Sequence, residues 1–102
     1  MKQCCADYLS EQFGGDADII GEIYSEYVSS VTAKIAEAEA ALPAGQWEAL
    51  DKIAHTIKGN ALAAGDQETA SAAIALRSAA KLQDKEEAAS LVAKIKVFAA
   101  AL

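Results

Sequence analysis

An all-α fold, an antiparallel four-helix bundle with a short extra N-terminal helix, is predicted by three features of this 102-residue sequence. Hydrophobic residues make up 53% of the chain and aromatic residues only 6%, so the apolar content is mostly alanine, leucine, isoleucine and valine, a composition that suits closely packed helices. Apolar positions recur at steps of three and four, and no segment alternates with the period of a strand. Glycine, aspartate and the single proline divide the pattern at intervals that fit short connections between neighbouring helices. At this length we expect one domain, residues 1–102, that buries its core without a metal or a disulfide.

The elements follow in order. A short leading helix, begun near Asp7, is broken by Gly14 and Gly15, and Asp16 is placed to cap the next one. From there Ile20, Ile23, Tyr24, Tyr27, Val28, Val31, Ile35, Ala38 and Leu42 form one amphipathic face, which ends in the Leu42–Gly45 stretch LPAG. The second long helix starts near Gln46, carries Leu50, Ile53, Ala54, Ile57, Ala61 and Ala64 at helical spacing, and stops at Gly65. Asp66 is the expected cap of a third segment reaching about Leu82, and Asp84 of a fourth. In that last helix Ala88, Leu91, Val92, Ile95, Phe98 and Leu102 face inward. Tyr24, Tyr27 and Trp47 lie at spacings that make them core or helix-packing residues.

The charge balance narrows the partners. The formal net charge is −6 and no stretch gathers lysine and arginine, so nucleic acid is not expected to bind. No apolar run approaches the ~20 residues of a membrane span, and the first residues lack the apolar core of a signal peptide, so the expectation is a soluble cytoplasmic monomer. Cys4 and Cys5 are the only cysteines; adjacent thiols cannot readily pair with each other, and they read as free thiols in a reducing compartment. Two neighbouring thiols and one distant histidine match no zinc spacing, so no metal site is expected.

The residues that bear on chemistry lie in the stretch DKIAHTIKGNALAAG, Asp51 to Gly65. At about 100° per residue, Leu50, Ile53, Ile57, Ala61 and Ala64 fall between about 140° and 240° from His55. The only histidine therefore faces water, on a stripe with Glu48, Asp51, Lys52, Lys58, Gly59 and Leu62. Gly59, at i+4, costs a helix about 1 kcal/mol relative to alanine, yet it leaves the ring open to a bulky group. Lys58, at i+3, puts an ammonium on the other flank, suited to an anion at the imidazole. A neutral imidazole nitrogen is nucleophilic near neutral pH, and charge on a phosphoryl group's equatorial oxygens is what a transfer site must offset. A phosphoryl group is the electrophile this pattern fits.

The segment AHTIKGNALAAG resembles the signature of the histidine-phosphotransfer (HPt) domain family, His-x-x-Lys-Gly in an Ala-His-x-Leu/Ile-Lys-Gly setting, and the helix order resembles that family over most of the chain. The resemblance implies a phosphorelay intermediate in two-component signal transduction. His55 would accept a phosphoryl group from an aspartyl phosphate on a response-regulator receiver domain, as a phosphohistidine on the outer nitrogen Nε2, and pass it to another receiver. It implies Lys58 for charge stabilisation and Gly59 for steric access, with receivers and a hybrid histidine kinase as partners. No cofactor would be held by this chain, since the Mg²⁺ would sit on the receiver. Two positions depart from the family pattern: Arg77 follows Leu76 where glutamate is frequent, and Asn60 stands where serine or glycine is more common.

Around His55, Asn60, Leu62, Asp51 and Lys52 are the candidate supporting or docking residues: the Asn60 amide for a hydrogen bond near the ring, Leu62 for a small apolar contact. Two other readings compete. One is the phosphorylatable domain of a chemotaxis-type histidine kinase, which shares the signature and takes its phosphate from an ATP-binding domain absent from these residues; a stand-alone protein and a fragment fit equally well. The other is a helical interaction module with an inert surface histidine. An autonomous enzyme is disfavoured, because no second histidine exists to serve a nucleophile.

Overall fold

The computed structural model describes residues 1–102 as five helices and no strand: α1 (Gln3–Phe13), α2 (Ala17–Ala41), α3 (Trp47–Ala64), α4 (Gln67–Lys81) and α5 (Lys85–Ala100). α2 packs on α3, α3 on α4 and α4 on α5, and α5 returns to α2, which closes a four-helix bundle; α1 lies across α2 and α3. The longest helix sets the shape. At ~1.5 Å per residue α2 is about 37 Å long, and the molecule measures 43 × 20 × 18 Å.

Local chemistry accounts for the helix ends. Asp16, Asp66 and Asp84 each accept a backbone N–H three residues on, from Ile19, Thr69 and Glu87, and so cap α2, α4 and α5. Gly65 ends α3 in the left-handed conformation at φ 77°. It also lies against Tyr8 of α1, where an added methyl group would collide with the tyrosine side chain. The leading helix starts four residues earlier than Asp7. No side chain caps it, but Gln3 donates to Asp7 at 2.7 Å across the first turn, and Cys5 and Leu9 are buried against the bundle.

Small side chains dominate the core. Ala54, Ala61 and Ala64 of α3 are buried with Ala70, Ala72, Ala73, Ala79 and Ala80 of α4, which lets these two helices approach closely. Leu50, Ile57, Leu76, Val31 and Ile95 fill the remaining space. Tyr27 is buried, Trp47 packs against the core cluster from its edge, and the Tyr24 hydroxyl accepts the Lys2 backbone N–H. Phe98 and Leu102 are partly buried against the same core. Cys4 and Cys5 are free thiols, the first exposed and the second buried. Burial first, and the neighbouring Cys4 second, push the Cys5 thiol up to about 12, so it carries no thiolate at neutral pH.

One charged group is buried among these residues. The Asp66 carboxylate is fully buried and accepts from the Tyr27 hydroxyl at 2.6 Å, the Thr69 hydroxyl at 2.8 Å and the Lys2 ammonium at 2.7 Å. Burial pushes its pKa up, but the three hydrogen bonds outweigh burial and hold the carboxyl below its ordinary value. A depressed carboxyl stabilises the fold above its unfolded value, near 3.9, and loses that contribution as pH falls through the folded value. Asp66→Asn is therefore expected to lower stability by about 2–3 kcal/mol at neutral pH. Urea unfolding across a pH series should show the gap to the wild type closing below about pH 4; a gap that stays constant to pH 3 would contradict the assignment.

Candidate functional site

α3 divides its residues between two environments. Leu50, Ala54, Ile57, Ala61 and Ala64 are buried, while Lys52, His55, Gly59 and Leu62 are exposed. The histidine stands on the convex outer wall of the bundle, and none of the five clefts in the surface is lined by it. A convex site cannot enclose a small substrate, as ligand pockets do.

Lys58 and Gly59 flank the ring at i+3 and i+4, neighbours on a helix surface. Lys58 is half-buried and takes part in none of the six ion pairs of the protein, so its ammonium is free for an external anion. Gly59 is ordinary helix, and a methyl group built on it meets nothing within 4 Å. Neither backbone conformation nor packing within the chain requires glycine here.

The other anticipated neighbours separate. Leu62 is 43% exposed and does not fold down onto the adjacent helix. Lys52 pairs with Glu48 at 3.9 Å, both largely exposed, an interaction worth little. Asn60 corrects its expected role: its amide donates to the Ser30 hydroxyl at 2.7 Å and ties α3 to α2, so it is not spent on the histidine. Asp51, one turn before His55, accepts from Arg77 Nε at 3.0 Å.

Arg77 is the residue that sequence reasoning missed as part of the site. It stands on α4, 22 residues from His55, and its Nη1 lies 3.1 Å from His55 Nδ1 while its Nε holds Asp51. The close α3–α4 packing brings it there, since buried Ala73, Leu76 and Ala80 on the inner side of α4 turn Arg77 toward the outer edge of α3. It had figured only as a departure in a family pattern. The signal available was its i+1 position after an inward-facing leucine, which places it at the edge of the buried face of α4, but pairing α4 with α3 in register needs the tertiary structure. The assembled site is thus one exposed imidazole with an unpaired ammonium on one side, open space on another, and a guanidinium anchored by a carboxylate at its inner nitrogen.

Because no contact within the chain opposes a side chain at position 59, Gly59→Ala is expected to stabilise α3 by about 0.5–1 kcal/mol. A rise in the thermal midpoint checks this; a fall would mean that the glycine serves the fold.

A family model described as the Hpt domain matches residues 22–102, from within α2 to the last residue. Comparison with curated proteins and with solved structures found no match.

Proposed function

The chain belongs to the Hpt domain family, which works in histidine phosphotransfer of two-component signalling, and we propose that it is a phosphorelay intermediate whose phosphoryl acceptor is His55. The observation that carries this reading is an exposed imidazole on a convex wall, with the unpaired Lys58 and the bare Gly59 on the next turn. Such a wall suits docking against a receiver domain, which would bring the aspartyl phosphate and its Mg²⁺.

In the forward step the Nε2 lone pair attacks phosphorus. The N–P bond forms as the P–O bond to the receiver's aspartate breaks, and the aspartate leaves as a carboxylate. Transfer onward reverses these bonds on a second receiver. The reaction has little covalent work for the protein to do beyond placing the nucleophile and offsetting charge on the transferring oxygens. Lys58 supplies the positive charge, and Gly59 leaves the volume that the receiver and its phosphoryl group enter. Leu62, exposed two turns beyond His55, gives the docked partner an apolar contact. The inert-module alternative offers no reason for an unpaired lysine and a destabilising glycine to share the histidine's flank.

Incubation with a radiolabelled phosphorylated receiver tests the reading. Label is expected to move to the wild type, to be lost on mild acid treatment as a phosphoramidate is, and never to appear on His55→Gln. Lys58→Ala should slow transfer about tenfold or more, and Gly59→Ala should slow it while raising the thermal midpoint. Label on His55→Gln, or equal rates for wild type and Gly59→Ala, would contradict the assignment.

A further inference from the structure

The contact between Arg77 and His55 has a chemical direction. A guanidinium carries five N–H donors and no acceptor. With Nη1 at 3.1 Å from Nδ1, the ring nitrogen must be the acceptor, using its in-plane lone pair. A neutral imidazole has one proton, so it then resides on Nε2. The lone pair of a protonated Nε2 belongs to the aromatic system and cannot attack phosphorus. The nitrogen that does have a free pair, Nδ1, is covered by Arg77. In this arrangement the histidine is quiet at both nitrogens.

The guanidinium is not there by accident of a flexible chain. Arg77 Nε is held by Asp51 at 3.0 Å, and both side chains are only about a quarter exposed, at 28% and 27%. Asp51 and His55 are one turn apart on α3, so a single Arg77 conformation satisfies both at once. The carboxylate fixes where the guanidinium sits, and the guanidinium fixes where the imidazole proton sits.

We propose that Arg77, anchored by Asp51, is a positioning residue that holds His55 in the Nε2-protonated tautomer, and that the ring becomes a nucleophile only when Arg77 releases Nδ1. On release the Nε2 proton passes to solvent and Nδ1 takes one up, which leaves the outer nitrogen with its lone pair in the ring plane. The releasing agent is the partner's own negative charge: phosphoryl oxygens and carboxylates arriving at the site compete for the guanidinium's N–H groups, which prefer charged acceptors to a neutral imidazole. The acceptor is thus unmasked by the docking of an anionic partner and reacts only slowly with small phosphoryl donors without one. The tautomer assignment stands on the Arg77 contact alone; its effect on rate rests on the phosphotransfer reading.

Because His55 is the only histidine, a tag-free ¹⁵N-labelled chain gives one imidazole in a long-range ¹H–¹⁵N correlation spectrum, with no assignment needed. At a pH where the ring is neutral, the wild type is expected to show a pyridine-type Nδ1 and a pyrrole-type Nε2. In Arg77→Glu the side chain becomes an acceptor only, and the pattern should invert to Nδ1–H. The same variant should react with phosphoramidate about tenfold faster than the wild type, as a larger share of rings is competent. It should do so although the added negative charge repels that anionic reagent, which a merely structural role for Arg77 does not predict. A wild-type ring already protonated on Nδ1 would overturn the proposal whether or not the variant folds. So would an unchanged tautomer in folded Arg77→Glu, or an inverted tautomer with no gain in rate while both proteins become phosphorylated. If the tautomer inverts and neither protein takes up phosphate, the positioning role survives and the phosphotransfer reading fails.

Discussion

A buried carboxylate organises this bundle. Asp66 sits in the two-residue connection between α3 and α4, where it caps α4 through the Thr69 backbone and side chain, receives the Tyr27 hydroxyl from α2, and receives the Lys2 ammonium that precedes α1. Besides the two helices it joins, one side chain therefore fixes α2 and the residue ahead of α1. An unpaired charge at full burial would be costly, and every oxygen here is satisfied. The consequences reach the reactive wall, because the same connection sets how α4 runs back along α3. A change in the angle of that turn would move Arg77 away from Asp51 and His55 by more than a hydrogen bond tolerates.

The second constraint is the division of α3 between its two faces. The inner face is built from alanine at three of its five buried positions, so α4 comes close enough for one of its side chains to cross over and act on the outer face. Larger residues in the α3–α4 seam would have kept the histidine out of reach of any group but those on its own helix. The outer face, in turn, gives up helix propensity at Gly59 without any return inside the chain. A local rule broken with no compensation nearby is what a site reserved for an outside partner looks like.

Much of this was legible in the sequence, and the parts that were not share a cause. Helical periodicity and aspartate caps located α2 to α5, since both signals are local: Asp16, Asp66 and Asp84 each cap the helix that follows by accepting the backbone N–H three residues on. The exposure of His55 followed from arithmetic on the helix wheel. The start of α1 did not, because an uncapped helix end leaves no mark and Lys2 is held by groups 22 and 64 residues away. Asn60 was placed beside the histidine by sequence proximity, whereas its amide turns to Ser30, 30 residues away. Arg77 is the instructive case. Its identity was visible as a departure from a family pattern, but its role depends on which α3 atoms it faces, and only the packed helix pair supplies that.

In the function proposed for this chain, His55 carries phosphate between proteins rather than standing inert on a surface. The most direct measurement starts from the chain phosphorylated chemically on His55 and adds an unphosphorylated receiver domain with Mg²⁺. Phosphate is expected to leave the histidine faster when the receiver is present and to appear on the receiver's aspartate before any is released as inorganic phosphate. Loss at the same rate with and without each of a panel of receivers, with all of it recovered as inorganic phosphate, would contradict it.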